Sequence, residues 1–123
     1  MKNSITEDQS LQITVDRSEG FTTLRLKGRV DIDTSPDLRD RLLRTLQAGS
    51  SERITVDLTE VPYLDTSGVA TLIEALKIAR RRGNVLCLQG LTGSLLHLFE
   101  VTGVLALFKS HECSGAFPET KES

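Results

Sequence analysis

Residues 53–83 of the chain, RITVDLTEVPYLDTSGVATLIEALKIARRRG, contain the pattern that decides the fold. The β-branched run RITVDL is typical of a strand that is buried on at least one face. After the connection TEVPYLD, apolar residues recur from Val69 at the i, i+3, i+4 and i+7 spacing of a helix, which ends at Gly83. A strand that leads directly into a long amphipathic helix predicts an α/β fold.

The flanking segments extend this pattern in both directions. Towards the N-terminus, LQITVD and FTTLRLKGRV alternate apolar and polar residues around the turn residues RSEG, which predicts a β-hairpin. TSPDLRDRLLRTLQAG then predicts a first helix, with Thr34 or Ser35 as N-cap, Pro36 in the first turn and Gly49 as the stop. Towards the C-terminus, NVLCLQG predicts a strand, TGSLLHLFEVTG a short helix and VLALF a last strand.

These elements predict one α/β domain in the order β-β-α-β-α-β-α-β. Its mixed sheet has four to five strands, is opened by the β-hairpin and is covered by helices. The domain comprises residues 11–109. Residues 1–10 and 110–123 are polar and lack periodicity, which predicts a flexible N-terminus and a flexible or weakly helical C-terminal tail.

Composition and charge exclude several classes of function. The net charge of −2, from 15 basic and 17 acidic residues, gives no general attraction for nucleic acid or anionic lipid. Aromatic residues make up 4% of the chain, too few for a platform that stacks bases. No apolar run approaches the ~20 residues that span a bilayer, and the N-terminus does not resemble a signal peptide. We expect a cytoplasmic protein that neither binds nucleic acid directly nor inserts into a membrane.

The cysteines and histidines do not form a metal-binding pattern. Cys87 and Cys113 are separated by a spacing that matches no metal site, and they fit a reducing compartment better than a disulfide framework. His97 and His111 fall in the predicted short helix and in the tail. Because neither a Walker A sequence nor G-x-G-x-x-G is present, we predict no metal and no cofactor.

The candidate functional site is the corner DLTEVPYLDTSG, residues 57–68. It is the longest predicted connection from a strand to a helix, and α/β proteins place their sites at such connections. A purely structural explanation is that Thr66 or Ser67 caps the helix while Asp65 complements its dipole. However, the corner combines acidic side chains, hydroxyls and a glycine, which is more than a cap requires.

Enzymatic explanations of this corner are weak. Aspartic proteases carry D-T-G or D-S-G, but here the sequence is D-T-S-G and a helix follows at once. The nucleophile elbow G-x-S-x-G is also absent. We therefore predict no catalytic residue and no enzyme. The basic run Lys77, Arg80, Arg81 and Arg82 is explained by the dipole at the end of the helix, or alternatively by an acidic partner or a lipid headgroup.

Three stretches, GRVDIDT, VDLTEVPYLDTSGVATLIEALK and GNVLCLQGLTGSLLHLFEVTGVLALF, resemble the STAS domain of bacterial anti-sigma factor antagonists, the regulators of sporulation and general stress. The resemblance extends over residues 11–109, and its most specific part is D-[ST]-[ST]-G at the start of a helix. The sequence also resembles the cytoplasmic STAS subunit of phospholipid-trafficking ABC transporters.

The resemblance implies a phosphorylation site. In the antagonist family, an anti-sigma factor that is also a kinase phosphorylates the hydroxyl that follows the aspartate, which here is Thr66, with Ser67 as the second choice. The family usually has serine at this position, whereas other STAS proteins have threonine. Together with the VDID loop that ends a neighbouring strand, the predicted partner-binding residues are Asp31, Asp33, Asp65, Thr66, Ser67 and Gly68.

A phosphate on Thr66 is expected to change binding more than folding. The start of the helix favours an anion, but ~1.5 to 2 added negative charges beside Asp65 would repel a docked partner. The resemblance thus implies an anti-sigma factor antagonist whose partner is a kinase-type anti-sigma factor, with the transporter subunit as the alternative. A phosphatase as a further partner and a weak dimer are options that it leaves open.

Overall fold

A computed structural model of the chain describes residues 11–48 and 53–109. Its elements follow in the order β1 (Gln12–Ser18), β2 (Phe21–Val30), α1 (Ser35–Ala48), β3 (Arg53–Leu64), α2 (Thr66–Arg82), β4 (Val85–Gln89), α3 (Gly93–Val101) and α4 (Val104–Lys109). This order confirms the predicted α/β class, the hairpin and the first three helices. The predictions for residues 1–10 and 110–123 concern segments outside the described residues.

The four strands form one mixed sheet in the order β1-β2-β3-β4. β1 and β2 pair antiparallel, with Ser18 opposite Phe21 at the turn. β3 pairs parallel with both β2 and β4. Because parallel strands end at the same edge of a sheet, the connections from β2 to α1 and from β3 to α2 lie side by side. This juxtaposition positions the candidate site.

Most of the core lies on one face of the sheet. Along β2, Leu24 and Leu26 are buried, whereas Arg25 and Lys27 are exposed. Both crossover helices connect neighbouring parallel strands in the same direction across the sheet, so α1 and α2 cover the same face. Their fully buried leucines are Leu38, Leu42, Leu46, Leu72 and Leu76.

Polar contacts hold the ends and sides of the helices together. Arg39 on α1 donates two hydrogen bonds to the carboxylate of Glu74 on α2, at 2.9 and 2.8 Å. Arg82 Nε donates to the carbonyl of Leu46 at 3.0 Å, and Arg80 donates to a carbonyl of α4 at 3.2 Å. These bonds give Arg80 and Arg82 a structural role distinct from the helix dipole, because they join α2 to α4 and to α1.

The prediction of a last strand at VLALF is wrong, because this segment forms helix α4. Val104, Leu105 and Phe108 are buried, whereas Ala106 and Leu107 are exposed. Burial at i, i+1 and i+4 is helical, while a strand would bury alternate residues. A run of five apolar residues has too little periodicity to distinguish the two structures.

The predicted connection TEVPYLD is also wrong for most of its length. β3 continues to Leu64 and pairs with β2 through Lys27–Glu60 and Arg29–Tyr63. Register shifts between Arg25 and Lys27, and again between Lys27 and Arg29, mark irregularities in this pairing. Such irregularities tolerate Pro62, which cannot donate a backbone hydrogen bond. The site therefore begins directly at the end of a strand.

Cys87 does not match the expectation for the cysteines. It is fully buried on β4 and is disulfide-bonded, so the prediction that it lies outside a disulfide framework is wrong. Cys113 lies outside the described residues.

Within the described ranges, no helix has both the length and the apolar character needed to cross a membrane.

Candidate functional site

The candidate site lies at the sheet edge where β2 and β3 end. Val30 and Leu64 are paired at the ends of these strands. One residue later, the backbone N–H of Asp65 donates to the carbonyl of Val30 at 3.1 Å. The predicted site residues of the two connections are therefore held beside one another, as the sequence analysis expected.

Asp65 is the N-cap of α2. Its backbone is extended, with φ −104° and ψ −171°, and its Oδ1 accepts hydrogen bonds from the backbone N–H groups of Ser67 at 2.9 Å and Gly68 at 3.3 Å. The expectation that Thr66 or Ser67 caps the helix is therefore wrong. The strong N-cap preference of aspartate was a sequence signal that could have identified it.

The same hydrogen bonds stabilise the charged form of Asp65. The hydroxyl of Ser67 donates to Asp65 Oδ1 at 2.5 Å. This bond, followed by the two backbone amide bonds, lowers the pKa of Asp65 below its ordinary value against an opposing effect of desolvation. Asp65 is thus a fixed negative charge beside Thr66.

Ser67 connects the two halves of the site. Its Oγ lies 2.9 Å from Oγ of Ser35, and Ser35 Oγ lies 2.7 Å from the carbonyl of Asp31. Ser67 gives its one hydroxyl proton to Asp65, so a hydrogen bond between the two hydroxyls uses the one proton of Ser35, for which the carbonyl of Asp31 competes. The resulting chain from Ser35 through Ser67 to Asp65 ties the start of α1 to the start of α2.

Thr66 has a different environment from its two neighbours. It is the first residue of α2, its side chain is exposed, and its hydroxyl makes no hydrogen bond with any residue of the described ranges. The structure therefore meets the central condition of the phosphorylation hypothesis, namely an accessible hydroxyl at the tip of the long helix.

The VDID loop is a compact turn. Asp31 Oδ1 accepts hydrogen bonds from the backbone N–H groups of Asp33 at 3.0 Å and Thr34 at 3.1 Å. Thr34 Oγ1 accepts from the N–H of Asp31 and donates to the carbonyl of Arg29, both at 2.9 Å. The carboxylate of Asp33 is exposed and has no partner within the described part of the chain. The two aspartates thus differ: Asp31 shapes the turn and Asp33 faces solvent.

Gly68 is buried where α2 begins against the sheet. A Cβ atom at this position would lie 2.7 Å from Val30 Cγ1 and 2.9 Å from Leu64 Cγ. Only glycine lets the first turn of α2 approach the strand ends this closely. The structure therefore gives Gly68 a packing role, and direct contact with a partner stays a prediction.

Three exposed residues at this edge were missed by the sequence analysis. Ile32 and Tyr63 are 73% and 41% exposed, and the guanidinium of Arg29 lies 4.2 Å from the centre of the Tyr63 ring. Ile32 could have been identified from the sequence, since it is an apolar residue in a polar turn. Tyr63 carried none, because the extension of β3 was not predicted.

No group of three or more histidine, cysteine, aspartate or glutamate residues could hold a metal ion in the part of the chain that the structure describes. An open cavity of about 440 Å³ between β3 and the start of α3 has Glu60 as the one ionisable side chain in its lining. A paired acid and base is not found there.

Comparison with known proteins gives the family of the chain. Residues 13–108 match the family model described as Mlab, STAS domain. The chain belongs to the STAS-domain family. This STAS domain is 30% identical over 100 residues to the anti-sigma-B factor antagonist of Listeria monocytogenes, covering 81% of the chain and 87% of the relative. It is 27% identical over 95 residues to that of Bacillus subtilis, covering 77% and 85%.

Solved structures support the fold of this STAS domain. The anti-sigma factor antagonist SpoIIAA in its unphosphorylated form matches with a TM-score of 0.67 at 15% identity, over 76% of this chain and 82% of that one. SpoIIAA of Bacillus in the phosphorylated form matches with a TM-score of 0.64 at 14% identity, over 77% and 86%. At these identities the likeness concerns the fold alone.

Proposed function

We propose that this STAS domain is an anti-sigma factor antagonist controlled by phosphorylation of Thr66. The unphosphorylated form binds an anti-sigma factor that is also a serine/threonine kinase, and the bound anti-sigma factor releases its sigma factor. Phosphorylation of Thr66 then blocks the complex. The observation that carries this proposal is the exposed Thr66 side chain, whose hydroxyl makes no hydrogen bond within the described ranges and lies directly beside the capping residue Asp65.

The local geometry favours Thr66 over Ser67 as the phosphorylated residue. The Ser67 hydroxyl is held between Asp65 Oδ1 and Ser35 Oγ, at 2.5 and 2.9 Å. A kinase would have to break both contacts to use it as a nucleophile. No such contact restrains Thr66 within the described ranges.

The energetic balance explains why a phosphate would act on binding. Asp65 already accepts hydrogen bonds from the backbone N–H groups of Ser67 and Gly68, so a phosphate on Thr66 finds less local stabilisation than an uncapped helix would offer. The added charge of about −1.5 to −2 lies beside Asp65 and near the VDID loop. Like charges and desolvation at an interface cost several kcal/mol, and about 3 kcal/mol already corresponds to a hundredfold loss of affinity.

The relatives and the fold support this proposal in a limited way. The curated relatives are named anti-sigma-B factor antagonists, and SpoIIAA has this fold in both its unphosphorylated and phosphorylated forms. A domain that keeps its fold when phosphorylated suits a binding switch. We further expect the protein to act in the cytoplasm, although a disulfide such as that of Cys87 is rare there.

The test titrates each purified kinase-type anti-sigma factor of the host organism with four forms of the protein. The unchanged chain and Thr66→Ala should bind the cognate partner, whereas Thr66→Asp should bind about a hundredfold more weakly. Thr92→Asp is the matched control, because it adds the same charge at the exposed N-cap of α3. Circular dichroism establishes that each variant is folded.

Incubation with ATP and the partner should place a phosphate on Thr66, detected by mass spectrometry, and Thr66→Ala should remain unmodified. Equal affinity of the unchanged chain and a folded Thr66→Asp variant would contradict the proposal. The alternative is the cytoplasmic STAS subunit of a phospholipid-trafficking ABC transporter. It would be favoured if the chain co-purified with a permease and its ATPase and bound none of the anti-sigma factors.

A further inference from the structure

Ile32 is unusually exposed for a large apolar side chain. Five such side chains are exposed in the described part of the chain, and Ile32, at 73%, is the most exposed of them. A single exposed isoleucine needs no explanation in general. Ile32 requires an explanation because it lies within the candidate site, between Asp31 and Asp33.

The backbone around Ile32 is held in place before any partner arrives. The carboxylate of Asp31 accepts hydrogen bonds from the N–H groups of Asp33 and Thr34, and the carbonyl of Asp31 accepts one from the N–H of Ser35 at 2.8 Å. A side chain presented on a fixed turn loses little conformational entropy on binding. Ile32 is therefore suited to insert into a recess of another protein.

A second exposed apolar group lies at the same sheet edge. Tyr63 is paired with Arg29, which precedes the VDID loop by one residue, and the Arg29 guanidinium stacks over the Tyr63 ring at 4.2 Å. Arg29 Nε also lies 3.8 Å from Asp31 Oδ2. The ring and the turn thus belong to one connected surface, which also adjoins Thr66 through Asp65.

The charges around Ile32 indicate the kind of partner that this surface fits. Asp33 and Asp37 are exposed, and their carboxylates have no partner within the described ranges. Arg29, a cation at the same sheet edge, is already engaged by Asp31 and Tyr63. An apolar side chain with an acidic rim complements an apolar recess bordered by lysine or arginine.

We propose that Ile32 is the apolar anchor of the complex with the anti-sigma factor, inserted into a recess of that protein that has a basic rim. This inference rests on the proposed function and adds a division of roles to it. Ile32 supplies affinity in the unphosphorylated state, whereas Thr66 supplies the charge that ends binding. Asp33 contributes mainly to the rate of association, as charges at an interface rim do.

The experiment compares Ile32→Ala with Val101→Ala in titrations of the purified anti-sigma factor. Val101 is the matched control, because it is 64% exposed, apolar and located at the end of α3. We expect Ile32→Ala to weaken binding about tenfold or more and Val101→Ala to leave it unchanged. The loss of affinity caused by Ile32→Ala should be the same at low and high salt. In contrast, Asp33→Asn should slow association chiefly at low salt.

Failure of this inference differs from failure of the proposed function. If Thr66→Asp abolishes binding while Ile32→Ala binds like the unchanged chain, the role of Ile32 as apolar anchor is disproved. Control of binding by phosphorylation of Thr66 is then still supported. Equal losses of affinity in Ile32→Ala and Val101→Ala would also disprove the role of Ile32 as anchor. If the unchanged chain binds none of the anti-sigma factors, both proposals fall.

Discussion

Asp65, Thr66 and Ser67 are consecutive in the sequence, yet their side chains have different partners. Asp65 caps α2, Ser67 bridges Asp65 and Ser35, and Thr66 faces solvent. The difference arises because the first residues of a helix point in successive directions around its axis. Thr66 is thereby left accessible, while its two neighbours hold the site together.

The cap makes a prediction about acid stability. The pKa of Asp65 is lowered in the folded state, first by the Ser67 hydroxyl and then by backbone amides. Its contribution to stability is therefore present above the ordinary aspartate pKa of about 3.9 and is lost as the pH falls through the lowered folded-state pKa. Asp65→Ala should melt several degrees lower than the unchanged chain at neutral pH, and the difference should narrow in strong acid.

Thermal unfolding followed by circular dichroism at neutral and acidic pH measures this effect. Asp33→Ala is the matched control, because the Asp33 carboxylate is exposed and has no partner within the described ranges. Its melting temperature should stay close to that of the unchanged chain. A difference between the unchanged chain and Asp65→Ala that is the same at every pH would contradict the charged cap.

At the scale of the elements, the contacts at the end of α2 explain the basic run. Arg82 Nε donates to the carbonyl of Leu46, near the C-terminus of α1, where carbonyls lack partners within the helix. Arg81 is exposed and makes no side-chain hydrogen bond or ion pair with other described residues. Neighbouring arginines in the last turn of the same helix therefore differ in what they stabilise.

This difference predicts unequal effects of two alanine substitutions. Arg82→Ala should lower the free energy of unfolding by about 1 kcal/mol, the net contribution of a hydrogen bond. Arg81→Ala should change it by less than about 0.5 kcal/mol, as is usual at the surface. Urea unfolding of both variants measures these values. Equal effects would show that the helix dipole, and not the bond to α1, accounts for the basic residues.

The described residues share one core, most of it on one face of the sheet, and the proposed binding residues lie at one edge. Leu72 on α2 is fully buried in that core, whereas Ile32 at the edge is exposed. Because all described elements share the core, the domain should unfold in a single transition. The binding edge can then be altered with little effect on the stability of the fold.

Two substitutions test this separation of core and edge. Leu72→Ala should lower the free energy of unfolding by about 2–5 kcal/mol, since it leaves a cavity in the core. Ile32→Ala should change it by less than about 0.5 kcal/mol. Urea titrations followed by circular dichroism and by fluorescence of Tyr63 should give coincident curves for each protein. A large loss of stability in Ile32→Ala would mean that the edge is part of the core.

Local patterns in the sequence determined the α/β class, the hairpin, the first three helices and the position of the candidate site. Each of these depends on periodicity or on helix start and stop residues, which act over a few positions along the chain. The Gly83 stop of α2, with φ 81° in the structure, is an example. The proximity of the VDID loop and Asp65 also followed, because parallel strands end at one edge.

Only the tertiary structure decided how far β3 extends and whether residues 104–109 form a strand or a helix. Pairing with β2 carried β3 past Pro62, and packing against the core gave α4 its helical burial pattern. The roles of Thr66 and Ser67 were separated by Ser35, which lies far away in the sequence. Such contacts depend on side chains that the fold brings together, and no local pattern encodes them.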